Sequence, residues 1–150
     1  MWRLILLVVI FASVHAENVR FQDCGSKLGV LNGVDITPCQ GAPYGCKLIR
    51  GTTSKINLTF TPKHVLSNVT AVVHGILSGV PVPFPLPNPN ACVDSGLTCP
   101  LAKDKKVTYE AALPIKPVYP TISLLIQWKM VDEHKESIVC FRIRAKIADP

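Results

Sequence analysis

Between residues 139 and 147 every second position is apolar. Val139, Phe141, Ile143, Ala145 and Ile147 alternate with Cys140, Arg142, Arg144 and Lys146. Successive side chains of an extended chain point to opposite faces, so the pattern yields one apolar and one charged face only as a β-strand. The period recurs along the chain. Ile122, Leu124, Ile126, Trp128 and Met130 share one face, with Ser123, Leu125, Gln127 and Lys129 on the other. Val107, Tyr109, Ala111 and Leu113 form a shorter set, and Ile56, Leu58 and Phe60 alternate with Lys55, Asn57 and Thr59. Residues 71–77 are a mostly apolar run, Val19 and Phe21 begin a first strand, and residues 30–36 and 47–50 are weaker candidates. No window after residue 16 sustains the 3.6-residue period of an amphipathic helix. About seven strands, separated by Gly, Pro and Asn turns, predict an all-β sandwich of two antiparallel sheets in a single domain.

The first sixteen residues stand apart from this pattern. Arg3 supplies a positive start, residues 4–12 are apolar but too few to span a bilayer, and Val14 and Ala16 fit the small-residue positions before a cleavage site. Residues 1–16 are therefore read as a signal peptide and residues 17–150 as the secreted domain. All six cysteines (Cys24, Cys39, Cys46, Cys92, Cys99 and Cys140) follow the leader. An even count behind a signal peptide reads as three disulfides, for which fifteen connectivities exist. Loop closure favours Cys39–Cys46 and Cys92–Cys99, leaving Cys24 to join Cys140 across the chain. Alternation puts Cys140 on the charged face, so its disulfide is expected away from the interior. No Cys-x-x-Cys pair and no histidine at ligand spacing accompany these cysteines, so no metal is expected.

Pro81, Pro83, Pro85, Pro87 and Pro89 occupy alternate positions. Each lacks an N–H and fixes φ, which excludes an interior strand, and each holds the preceding residue extended. Val80, Val82, Phe84 and Leu86 are expected on one face of this rail. A second proline-held segment, Leu113, Pro114, Ile115, Lys116, Pro117, Val118, Tyr119, Pro120, is positioned to form an opposite lip. Asn57 and Asn68 each open an Asn-x-Thr sequon, and Asn57 falls on the polar face of its strand.

Chemistry for catalysis is missing. There is no nucleophile elbow, no His-Glu-x-x-His, no phosphate-binding loop and no carboxylate cluster, so no enzyme and no cofactor are expected. His74, inside an apolar run, is read as a structurally hydrogen-bonded residue. Sixteen Lys and Arg, one of them Arg3, face ten acidic residues, leaving +5 after the leader. The cations are dispersed rather than clustered, which excludes nucleic acid as a partner and suits transient contact with anionic membranes.

Residues 21–26 (Phe-Gln-Asp-Cys-Gly-Ser), 71–77 (Ala-Val-Val-His-Gly-Ile-Leu) and 79–85 (Gly-Val-Pro-Val-Pro-Phe-Pro) resemble the most recognisable blocks of the soluble Niemann–Pick type C cholesterol-transfer family, within the ML (lipid-recognition) domain group. Pro100, Lys103, Asp104, Lys105, Leu113, Pro114, Tyr119, Pro120 and Trp128 fall at matching places, and the likeness extends over the whole domain, cysteines included. The resemblance implies an immunoglobulin-like sandwich with a lipid cavity between its sheets, and the disulfides Cys24–Cys140, Cys39–Cys46 and Cys92–Cys99. It implies ligand-lining roles for Val82, Phe84, Pro114, Ile115, Tyr119, Trp128 and Phe141. Vertebrate members carry Val in place of Ile115 and Trp in place of Phe141. The implied function is binding and transfer of cholesterol-like sterols by a glycosylated monomer in the lysosomal lumen or extracellular fluid. The implied partner is a membrane-embedded Niemann–Pick type C sterol transporter. The alternatives are an extracellular carrier of fatty acids or small signalling lipids, and an immune module that recognises glycolipid.

Overall fold

The computed structural model describes residues 8–10, 17–41 and 44–150, so the expected signal peptide lies outside the described residues except at 8–10. Among the described residues ten strands form: β1 (Glu17–Asn18), β2 (Gln22–Asp23), β3 (Gly29–Thr37), β4 (Cys46–Ile49), β5 (Thr53–Pro62), β6 (Thr70–Leu77), β7 (Val80–Pro83), β8 (Val107–Pro114), β9 (Ser123–Val131) and β10 (Ser137–Ala148). They build a four-stranded sheet in the order β1-β3-β5-β8 and a six-stranded sheet in the order β2-β10-β9-β6-β7, with β4 also on β10. Every ladder is antiparallel except that of β4, which runs parallel to β10 with Cys46 opposite Ala145 and Ile49 opposite Ala148. At twelve residues, β10 takes two partners along one edge, β2 on its first half and β4 on its second.

The alternation read from the sequence becomes the two inner faces. Trp128 in β9 stands between Val73 of β6 and Phe141 of β10, and Ile126 stands between Gly75 and Ile143. In the smaller sheet Leu58 is flanked by Val34 and Tyr109. These rows pack into one apolar core. The expected first strand at Val19 and Phe21 divides instead. The chain leaves the smaller sheet after Asn18 and joins the larger one at Gln22, so only two residues pair on each side. Val19 is still buried, its N–H donating to the Val34 carbonyl at 3.0 Å.

The three disulfides pair as expected. Cys140 does lie on the outer face and outside the apolar core, as expected, yet it is only 1% exposed. The segment around Cys24 covers that part of the outer face. Cys24 N–H donates to the Cys140 carbonyl at 2.9 Å, and the Cys140 N–H donates to Ser26 Oγ at 3.1 Å. His74 departs from expectation. It sits half-buried on the outer side of β6, opposite Gln127 and Pro83, with no side-chain hydrogen bond among the described residues.

Candidate functional site

The larger sheet ends at β7 and the smaller at β8, and the two proline segments bring these edges together. β7 can be a strand because it is an edge, where its prolines need no outward partner. Its register sets Val80 opposite Leu77 and Val82 opposite Gly75, and Phe84 N–H donates to the Val73 carbonyl at 2.9 Å. Val80, Val82 and Phe84 therefore do share a face. Their burial differs, at 60, 41 and 7% exposed, because only Phe84 has an opposing group to cover it. Val82 thus stands on the open rim, not in the interior. The covering group is Tyr119, whose ring lies 4.8 Å from that of Phe84 at an interplanar angle of 50°.

The other expected site residues lie behind this ring pair or beside it. Ile115, Trp128 and Phe141 are buried, and Pro114 is half-buried at the end of β8. Trp128 and Phe141 stack with centroids 6.5 Å apart, and Tyr109 meets Trp128 edge-on at 6.1 Å. Because Tyr109 belongs to the smaller sheet and Trp128 to the larger, that contact closes the sandwich at its centre. The interior where the resemblance implies a cavity is filled in this structure by its own rings and aliphatic chains. Even the indole N–H turns inward, donating to Met130 Sδ at 3.3 Å.

Tyr109 was legible only as a strand residue, yet it is the most unusual group of the interior. Its hydroxyl is buried with no hydrogen-bond partner among the described residues, and so is that of Tyr119. Buried phenols ordinarily find a partner, and leaving one unpaired costs about 1–3 kcal/mol. Burial pushes the Tyr109 pKa up to about 12 and raises that of Tyr119 as well. The available signal was its parity: Tyr109 falls on the same face as Leu113, so alternation alone sends a polar-tipped ring inward.

Two surface features complete the picture. On the outer face of the larger sheet, a shallow groove of about 990 Å³ is lined by Lys47, Arg142, Arg144 and Lys146 together with Tyr44 and Leu125, and its described lining holds no carboxylate. Arg20 lies over the Tyr44 ring at 4.8 Å. On the outside of the smaller sheet, Asn57 is half-buried beside a groove of about 580 Å³, whereas Asn68 is exposed.

Comparison with known proteins gives a consistent set of likenesses. The model of the ML domain family matches residues 18–147. The mouse protein named NPC intracellular cholesterol transporter 2 is 44% identical over 143 residues, covering 95% of this chain and 94% of its own. A fruit-fly protein named NPC intracellular cholesterol transporter 2 homolog a is 43% identical over 134 residues, covering 89% and 90%. Among solved structures, a Niemann–Pick type C2 protein from the Japanese carpenter ant superposes with a TM-score of 0.81 at 37% identity, covering 86% of this chain and 99% of its own.

The buried phenol makes a pH prediction. The folded state holds Tyr109 protonated above the ordinary phenol pKa of 10, so the unfolded state loses its proton first. The stability this contributes is complete below pH 10 and is lost as the pH rises toward 12. Chemical denaturation across that window should show Tyr109→Phe losing less stability than the wild type, by about 2 kcal/mol. Parallel losses in the two proteins would contradict the buried neutral phenol.

Proposed function

The chain belongs to the ML domain family, and on that premise we propose that it binds a sterol between its two sheets and carries it from one membrane to another with no chemical step. The observation that carries the reading is the ring pair Phe84–Tyr119, the contact that covers an otherwise apolar interior on the β7–β8 side. Rotating two rings apart breaks no backbone hydrogen bond. A ligand entering there is transferred from water to apolar surroundings, worth roughly 25 cal/mol for each Å² removed from water. The cost is separation of the inner faces, above all at Tyr109 and Trp128. Two unpaired phenols in otherwise apolar surroundings suit a ligand that is almost wholly apolar and carries a single hydroxyl. A sterol is such a molecule; Phe84, Ile115, Tyr119, Trp128 and Phe141 are its proposed walls, with Pro114 and Val82 at the mouth. The names of the relatives support the same ligand class.

We place the site of action in the extracellular fluid or lysosomal lumen, with the protein acting as a glycosylated monomer modified at Asn57 and Asn68. The partners are anionic membranes and a membrane-embedded sterol transporter. The carboxylate-free groove along β10 is the surface we assign to the membrane, since cations near an anionic bilayer contribute about 1 kcal/mol each.

Organic extraction of the protein purified from secreting cells, followed by mass spectrometry, tests the ligand class. A sterol near one equivalent is expected. A fatty acid in its place would establish the fatty-acid carrier, and an empty protein that takes up no sterol would defeat both readings. Phe84→Ala should weaken sterol binding about tenfold or more while the fold persists, the scale expected for losing a buried phenyl contact. Paired reversal, Arg144→Glu with Lys146→Glu, should slow transfer to anionic vesicles several-fold and leave neutral vesicles unaffected, as loss of near-surface attraction requires. Equal rates to both vesicle types would remove the membrane assignment from this face.

A further inference from the structure

Tyr119 covers the mouth from a segment with few anchors of its own. Pro114, Pro117 and Pro120 have no N–H to donate, and Val118 at the tip is 83% exposed. The backbone bonds that hold the segment are concentrated at its start. Ile115 N–H donates to the Thr52 carbonyl at 2.8 Å, and Gly51 N–H donates to the Ile115 carbonyl at 2.6 Å. Beyond this hinge a local turn follows, with Tyr119 N–H donating to the Lys116 carbonyl at 3.1 Å. The next tie is the Ile147 N–H, donating to the Ile122 carbonyl at 2.9 Å.

One side chain spans the gap between these ties. Arg50, in the turn between β4 and β5, sends Nη1 to the carbonyls of both Pro117 and Tyr119, at 3.2 and 3.1 Å. Its Nε donates to Asp149 Oδ1 at 2.7 Å, and its Nη2 bonds the same oxygen. The carboxylate thus holds one edge of the guanidinium while the other edge holds the lip. The Arg50 side chain is 28% exposed, so these charge-assisted bonds are partly shielded from water.

We infer that Arg50 is a positioning residue, a latch that holds residues 117–119 over the mouth and so sets how fast a ligand passes Phe84 and Tyr119. The inference rests on the reading of the interior as a lipid site. Arg50 forms no part of that interior; it acts through the two carbonyls on either side of Val118. Releasing the latch leaves the walls unchanged, so it raises entry and exit rates together and leaves the equilibrium almost where it was. A residue that merely stabilised the bound ligand would change the exit rate and the affinity together.

Stopped-flow transfer of the fluorescent sterol dehydroergosterol separates these cases. Arg50→Met keeps the aliphatic stem and removes every donor. It should speed both uptake and release about tenfold, with Kd within about threefold of wild type, the scale of losing charge-assisted hydrogen bonds. Arg50→Lys, whose ammonium is a point charge without a fork, should fall between wild type and Arg50→Met. Asp149→Asn, an exposed change that leaves the lip bonds in place, should accelerate both rates less than Arg50→Met and serves if that variant folds poorly. Amide hydrogen exchange supplies a readout independent of any ligand. Exchange at Ile115 and Tyr119 should quicken in Arg50→Met while β9 and β10 remain protected. Unchanged rates with unchanged exchange at the lip would overturn the latch. A wild-type protein that takes up no sterol would instead defeat the functional reading, and the exchange pattern would still decide the role of Arg50.

Discussion

The meeting of Tyr109 with Trp128 is the contact on which the arrangement turns. It is a place near the centre where the inner face of one sheet touches that of the other, ring edge to ring face at 6.1 Å, with Phe141 stacked behind. Aromatic pairs of this kind contribute about 0.5–1.5 kcal/mol beyond the area they bury, enough to close the sandwich but not to lock it. The same contact carries an internal cost, since closure leaves the Tyr109 hydroxyl without a partner. An interior that is closed yet imperfectly satisfied is suited to being opened by a ligand that supplies what the closed form lacks.

The surrounding structure localises such an opening. On the far side β10 is bordered by both β2 and β4, and Cys24 is joined to Cys140 across 116 residues of sequence. On this side the sheets are also tied directly: the Leu28 N–H, just before β3, donates to the Ser137 carbonyl of β10 at 3.1 Å, and Gly29 packs closely against Ile138, so this edge stays shut. On the near side the sheets end at β7 and β8, whose proline-rich continuations offer few backbone hydrogen bonds to break. Rigidity at one edge and rings at the other make a hinge and a mouth. Arg50 connects the two regions, because it reaches the lip from the end of a strand that pairs with β10.

The long alternating segments were legible because a strand half-buried against a core leaves a period that does not depend on its partners. β9 and β10 match the residues read for them to within one or two positions at either end. Phe84 was legible for a related reason, since the prolines around it hold its segment extended; the segment of Tyr119, expected extended as well, instead turns at residues 116–119, and the role of Tyr119 was implied only by the resemblance. What was illegible depended on distant groups. Val82 shares the face of Phe84 but has no cover, and nothing in its neighbours announces that. Cys140 keeps the outward parity of its strand but is covered by a segment more than a hundred residues away. The parallel pairing of β4 with β10 and the role of Arg50 likewise join residues from opposite ends of the chain, and the partners of Arg50 include backbone carbonyls, which carry no residue-type signal.

The proposed ligand position is between the sheets against Trp128, not in a surface groove. Trp128 is the only tryptophan after Trp2, and it is fully buried. Quenching of its indole by a brominated sterol needs near-contact and therefore reports on the interior. Titration should give saturable quenching with an endpoint near one sterol per protein. Saturable binding of the brominated sterol with Trp128 unquenched would place the ligand outside the sandwich, contrary to the proposed site.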